Sequence, residues 1–593
     1  MKEKPQSSQW NKLLSARIKP LNKRVRSIEK KTIRHAHTYV VQKADRFRSV
    51  RRHVIGWLVL VCILMFAAIA QMVFYGRNVA DVQSQPGNVY AEGVVDKVNT
   101  LNPLYVSTPT EKALQKLIFS GLTSYDQNGR LQNDLAESIV VSEKGKKYTV
   151  TLRPHIMWHD GAQLTAEDVV YTVKAMQNPQ INSRDYKTWK NITVTSQSSQ
   201  EVTFTLPSAF GPFNSLLTFS VLPKHILKDI PVENIPESEF SKKPIGSGPF
   251  KAVGIQAVDI TTGKNAVKLE ASDTYWSGRP SLDRFLVYTY SQSKDLLNGL
   301  RAHEVSAAVD IPRSQLSQLQ KAGYQIHNIP LDSGMFAFLK TDSPILKDVA
   351  VRQALVSLTN RQPIVDSQQG KKLEGPIVGQ DLPKTSQVSQ LPYDTAKALS
   401  LFEQAGWKKN TKNLLEKDGV ILSLDVVAPN TYEYTSISQE LARQWRKVGI
   451  TVKQQFVDPQ QIQQNILKPR AYDVVLYELE IGGDPDVMAY WHSSQRAGNG
   501  LNLSNFSSGI SDDALLTARL REDSISRDAK YATFAKDWAA QAPAIALYQP
   551  TLSYTTFTEV DSLYSTTIVP SIADRFATAS RWTISKGMVY KTP

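Results

Sequence analysis

Along residues 147–176 the spacing of apolar side chains changes period once. Tyr148, Val150 and Leu152 alternate with Thr149, Thr151 and Arg153, which is the two-residue period of a half-buried strand. Pro154 removes a backbone donor and ends that ladder. Asp160-Gly161 is a turn dipeptide, because glycine takes positive φ at no steric cost. Thr165 stands before Ala166-Glu167-Asp168, a capping-box-like helix start. Val169, Val170, Val173 and Met176 then recur at helical spacing. The stretch predicts strand, loop, turn and capped helix.

A second pattern has no period. Val54 to Tyr75 is a run of 22 residues in which Gln71 is the one strongly polar side chain, long enough to span a bilayer. Trp57 near one end and Phe74-Tyr75 at the other suit the two interfaces. Ala68-Ile69-Ala70 has the small-x-small form of a cleavage site. The basic region before it is far too long for a signal peptide, and the retained helix is the expectation. Residues 76–88 are polar with Gly and Pro and read as a linker. Elsewhere 191–206 alternates as a hairpin.

Charge changes the picture once it is located. The net charge is +15, yet residues 1–53 hold 16 Lys/Arg against 3 Asp/Glu and so carry +13 of it. The remainder is nearly neutral, which removes the electrostatic basis for nucleic-acid binding. The basic stretch is a positive-inside signal that puts the N-terminus in the cytoplasm and everything after residue 75 outside, in periplasm or at the open surface. The single cysteine, Cys62, excludes an internal disulfide framework and a Cys-rich zinc site. No nucleophile–base arrangement or metal cluster stands out, so no enzyme, catalytic residue, metal or cofactor is expected. His159-Asp160 reads as a turn and not as a metal pair, since no further ligand sits at metal spacing.

The run Leu152-Arg153 through Trp158-His159-Asp160-Gly161 to Leu164-Thr165-Ala166-Glu167-Asp168-Val169 resembles the signature of the bacterial extracellular solute-binding proteins of family 5, which serve peptide and nickel ABC importers. Further stretches resemble the family: Leu135-Ala136-Glu137-Ser138, Leu222-Pro223-Lys224-His225, Ile245-Gly-Ser-Gly-Pro-Phe250, Asp348 to Leu355, and Tyr393 to Trp407. The likeness runs from about residue 89 to about 560. It implies an α/β, two-lobed periplasmic-binding-protein-like (type II) fold with an accessory domain, preceded here by the transmembrane helix. The expected division is a basic cytoplasmic segment 1–53, a helix 54–75, a linker 76–88, lobe I from 89–122, 206–285 and 548–593, the accessory domain 123–205, and lobe II 286–547. The crossing into lobe II is expected near Phe285 to Tyr290.

The resemblance also implies a function. Such receptors close two lobes on an extended peptide, catch its main chain, and hand it to a permease and ATPase. The expected partners are therefore a peptide or other small solute, the ABC permease and ATPase subunits, and the membrane through the chain's own helix, with the receptor a monomer. A surface sensor or adhesin on the same fold is the alternative, as is a receptor for an oligosaccharide or a nickel chelate. In peptide-binding relatives an Asp that pairs with the ligand's α-amine lies in a W-x-x-D-x-x-D/E-P pattern. Here Tyr477-Glu-Leu-Glu-Ile-Gly-Gly-Asp-Pro-Asp486 occupies that stretch, with Ile481 at the Asp position and Glu478 at the Trp. Isoleucine cannot pair with an ammonium, so Glu480 or Asp484 is expected to read a cationic group. The expected ligand-binding residues are Tyr477, Leu479, Glu480, Asp484, Asp486, Tyr490, Trp491 and Asn502. For Asp484 and Asp486, turn and cap chemistry is the competing reading, and for the aromatic residues, core packing.

Overall fold

The computed structural model describes residues 55–71, 80–81 and 88–590, apart from 260, 310, 379–387, 483, 497, 499, 522, 557–559, 562–567 and 585–588. The basic segment 1–53, both ends of the expected 54–75 span and most of the linker lie outside them. The described residues fall into two bodies, one ending at Gln83 and taking in the chain from Lys586, the other spanning Ser84–Ser585.

In the first body residues 55–71 are helical, and apolar side chains such as Trp57, Leu64 and Phe66 are exposed. Among the described residues no helix is long and apolar enough to cross a membrane. The described helical stretch amounts to about 25 Å at 1.5 Å per residue, short of the ~30 Å hydrocarbon core. Ala80–Asp81 pairs antiparallel with Val589–Tyr590.

The second body is built mainly on three sheets, of seven, six and four strands, beside smaller ones of two and three strands. A seven-stranded sheet runs in the order Gln325–Pro330, Thr551–Thr556, Ala307–Val309, Asn88–Val95, Leu282–Tyr290, Lys264–Ala271, Phe250–Asp259. A six-stranded sheet runs Lys371–Lys372, Ala544–Gln549, Ser333–Leu339, Val474–Glu480, Ser423–Pro429, Thr451–Val457. Both faces of this sheet are covered. Met335, Ala337 and Leu339 point into one core and Phe336 and Phe338 into another, which is why Ser333–Leu339 is buried throughout and reads as an unbroken apolar run.

The chain passes between these sheets at Leu331-Asp332 and returns at Pro550, with Leu331 N–H donating to Pro550 O at 3.0 Å. The expected crossing near 285–290 is therefore displaced. Leu282–Tyr290 pairs antiparallel with Lys264–Ala271 and parallel with Asn88–Val95, inside the first sheet. Periodicity identifies a strand, but its partners lie far away in sequence.

The third sheet, Ala136–Ser142, Lys147–Leu152, Glu201–Thr205, Thr193–Ser196, is antiparallel. In Lys147–Leu152 the residues Tyr148, Val150 and Leu152 are buried and the alternate ones half-buried. Asp168 Oδ2 accepts from Thr165 N–H at 2.8 Å at the start of the Ala166–Gln177 helix.

The His159 turn joins three family stretches. Gly246 N–H donates to His159 Nδ1 at 3.2 Å, and His159 Nε2 lies 2.9 Å from Gly248 O. His225 Nε2 meets Asp160 Oδ2 at 2.9 Å. Burial lowers the His159 pKa to about 4, so the ring is neutral and serves as a hydrogen-bonding strut. A Cβ on Gly246 would sit 1.9 Å from Ile118 O, so only glycine allows this approach of backbones.

Candidate functional site

Val474–Glu480 pairs along its whole length with Ser333–Leu339 on one side. On the other side Ser423–Pro429 pairs with it at Val474 and Val475 alone. Residues 476–480 thus present an edge with no strand against it among the described residues. Two phenols tend that edge: Glu478 N–H donates to Tyr434 Oη at 3.2 Å, and Tyr490 Oη donates to Glu480 O. Burial, with Glu480 beside it, raises the Tyr490 phenol to about 12, so it remains a donor at neutral pH.

The edge forms one wall of a 520 Å³ cavity lined by Tyr434, Tyr477, Glu478, Leu479, Glu480 and Tyr490, with Ile572 at its border. Glu478 Oε1 accepts from Ser333 Oγ at 2.6 Å. Glu480 is exposed, and among the described residues its carboxylate has no ion-pair partner. Ile481 is half-buried, packs on the core that holds Phe336 and Phe338, and donates its N–H to Asp332 O at 2.9 Å.

The two following carboxylates have a different environment. Arg527 Nη2 reaches Asp484 Oδ1 at 2.8 Å and Oδ2 at 3.1 Å. Arg519 meets Asp486 Oδ2 through Nη2 at 2.6 Å and Nε at 2.8 Å. The Asp484 side chain is 19% exposed and that of Asp486 9%. Burial pushes the Asp484 carboxyl above its usual range, with Arg527 pulling it back. Both aspartates also hold the turn, for Asp486 N–H donates to Asp484 Oδ1 at 3.0 Å and Met488 N–H to Asp486 Oδ1 at 3.2 Å.

Of the eight expected ligand residues, Tyr477, Leu479, Glu480 and Tyr490 line the cavity. Asp484 and Asp486 sit beside it on arginines. Trp491 is fully buried against Phe336, Phe338 and Trp538. Asn502 is fully buried too, its amide donating to Trp491 O, His492 O and Phe506 O at 3.3, 3.1 and 2.9 Å. Both residues are core in this conformation.

Two smaller cavities, of 230 and 330 Å³, share Lys116, Tyr125, Thr218, Ser220 and Asp574. The turn Ile572–Phe576 borders all three cavities. It is fixed by Arg575, whose Nε and Nη2 reach the fully buried Glu92 Oε1 at 3.0 and 2.9 Å. In the 230 Å³ cavity Trp276 Nε1 donates to Asp134 Oδ1 at 2.8 Å, and Arg153 lies 4.3 Å over the Trp276 ring. Burial raises the Asp134 pKa to about 6, with the indole N–H drawing it back.

Sequence reading missed Tyr434, Arg519, Arg527 and the 572–576 turn. Thr431 before Tyr432 is a cap signal that places Tyr434 on the first turn of a helix. Nothing local pairs Arg519 or Arg527 with aspartates 33 and 43 residues earlier. Among the described residues no group of three or more His, Cys, Asp and Glu is placed to hold a metal.

Over 490 residues the chain is 29% identical to the oligopeptide-binding protein AppA of Bacillus subtilis, covering 79% of this chain and 87% of that one. The structure of Bacillus subtilis AppA in complex with a nonapeptide is similar with a TM-score of 0.66 at 26% identity, over 85% of this chain and all of that one. NikZ from Campylobacter jejuni in complex with Ni(L-His) matches with a TM-score of 0.67 at 25% identity, over 84% of this chain and all of the other. Residues 130–500 match the family described as bacterial extracellular solute-binding proteins, family 5 Middle, and the chain belongs to that family.

Proposed function

We propose that this protein is the membrane-anchored substrate-binding receptor of an ABC importer, capturing peptides by closure of its lobes and delivering them to a permease. Proteins of this family are transporter receptors and not enzymes. The observation that carries the peptide reading is the strand edge 476–480, which on one side has no neighbouring strand among the described residues and borders the 520 Å³ cavity. An extended peptide adds to such an edge through main-chain hydrogen bonds. The name of the AppA relative, an oligopeptide-binding protein, supports the same solute class.

Within that reading Glu480 meets a ligand cation, since it is exposed at the cavity while Asp484 is occupied by Arg527. The exposed apolar helix at 55–71 and the basic residues before it support an anchor over 54–75, with the N-terminus cytoplasmic and a monomeric receptor outside. Native mass spectrometry of the purified protein tests the main proposal. A heterogeneous set of short peptides is the expected finding; a single sugar or a metal chelate overturns it. Release of the protein from membranes by carbonate, or a mature N-terminus at Gln71, overturns the anchor.

A further inference from the structure

The second body carries a contact that the capture of a ligand does not by itself require. After the Glu201–Thr205 strand, residues 207–212 reach across to the end of the Gly509–Leu520 helix. The last carbonyls of a helix have no donor partner within it. Here Arg519 O receives Gly211 N–H at 2.7 Å, so a loop from the opposite side of the molecule caps the helix. The loop is held on its own side by Tyr148, whose Oη donates to Phe210 O at 3.2 Å and whose ring lies 4.5 Å from that of Phe213.

The Arg519 side chain completes the bridge. Its guanidinium lies 5.5 Å from the Phe210 ring centroid and grips Asp486 through Nη2 and Nε. Asp486 N–H in turn donates to Asp484 Oδ1, in the loop that leaves Glu480. Beyond the backbone bonds of Ile481 and Gly482 to Asp332 O, side chains tie that loop by Tyr490 to Glu480, by Arg527 to Asp484 and by Arg519 to Asp486. The first tie stays beside the strand edge, while Arg527 Nε comes within 3.3 Å of where a Cβ on Gly211 would sit. The third runs through a residue that also touches the opposite side.

Gly211 makes the approach possible. A Cβ there would meet Arg521 O at 2.6 Å and Arg519 O at 3.2 Å, and its φ is not in the left-handed region. Alanine therefore fits the loop itself and obstructs the docking, chiefly against the backbone at the helix end and less tightly against Arg527 Nε at 3.3 Å.

We propose that Phe210, Gly211 and Arg519 form a closure latch: docking of the 207–212 loop fixes Arg519, and Arg519, through Asp486, fixes the 480–490 loop at the ligand cavity. The proposal rests on the reading that ligand is held by closure of the lobes, and it makes Arg519 a positioning residue with no contact to ligand. Phe210–Arg519 stacking and the backbone hydrogen bond are each modest contacts, so losing both shifts the docking equilibrium by about tenfold.

The test uses the full-length protein in detergent, with hydrogen exchange followed at 207–213 and 481–492 and release measured for a mixed pool of tripeptides to pentapeptides. Gly211→Ala is expected to raise exchange about tenfold in both segments and to speed peptide release similarly, with exchange of the buried 474–476 strand unchanged. Arg519→Lys keeps the charge but loses the fork, and should reproduce the effect at 481–492 in part. Faster exchange at 207–213 alone, with 481–492 and peptide release unchanged, overturns the latch. Should wild type bind no peptide, the receptor reading fails, and the exchange coupling between the two segments still decides the latch.

Discussion

Two pairs of carboxylates lie side by side in residues 478–486, and the fold uses them differently. Glu478 and Glu480 stand at a strand edge beside a cavity, one held by Ser333 and the other exposed. Asp484 and Asp486 lie past the turn, half or more withdrawn from water and gripped by Arg527 and Arg519. Sequence distance does not separate the pairs; burial and the arrival of an arginine do. A carboxylate that has been desolvated must be paired, and once paired it is spent as a ligand group. One that stays hydrated retains its charge for whatever enters the cavity.

That difference breaks most readily at Arg527. Arg527→Ala leaves Asp484 withdrawn from solvent without its cation, and should cost about 3 kcal/mol of stability, read from the denaturation midpoint and slope. A loss below about 1 kcal/mol would mean that Asp484 is well hydrated, returning it to the ligand candidates. The next effect is smaller. Asp486→Asn keeps the turn geometry and removes the charge from two hydrogen bonds to Arg519, which is 29% exposed, for an expected cost of about 1–2 kcal/mol. Combining it with Arg519→Lys in a double-mutant cycle should show clear coupling, whereas additive costs would show that the pair is held by packing alone.

The open pair should behave in the opposite way. Glu480→Gln is expected to leave stability within about 0.5 kcal/mol, while weakening peptides that carry a free amine or a basic side chain. Calorimetric titration with matched charged and amine-blocked peptides separates these. Equal affinities across the matched peptides, in wild type and variant, would remove Glu480 from the reading of charge.

How much of this was legible in sequence follows from where the partners lie. The Lys147–Leu152 strand and the Ala166–Gln177 helix were readable because period, proline and cap are local signals. The stretch Tyr477 to Glu480 was singled out by the family resemblance, and it lies on the cavity wall. What local signals missed was pairing across the chain. Leu282–Tyr290 looked like a crossing strand until its neighbours, Asn88–Val95 and Lys264–Ala271, put it within the first sheet. Trp491 and Asn502 have the chemistry of a cleft and the burial of a core, and only the packing of Phe336, Phe338 and Trp538 decides between them. The aspartates behaved as turn residues, as their spacing allowed, but their arginines carry no mark in sequence.

The finest distinction concerns Tyr490, which tends the open pair without belonging to it. Its hydroxyl donates to Glu480 O, a backbone acceptor on the strand edge. A neutral hydrogen bond at a half-buried site is worth about 0.5–1 kcal/mol, so Tyr490→Phe should move stability little. Removing the hydroxyl also frees the Glu480 carbonyl for an incoming main-chain N–H. If peptides add to this edge, affinity in the variant should hold or improve, by less than about threefold, since one protein–protein bond is exchanged for one to ligand. A drop of tenfold or more, measured by the same calorimetric titration, would instead mean that the phenol itself touches ligand. The edge would then be closed in the bound state as it is here, and the side chains of Glu478, Glu480 and Tyr490, rather than the strand's backbone, would carry recognition.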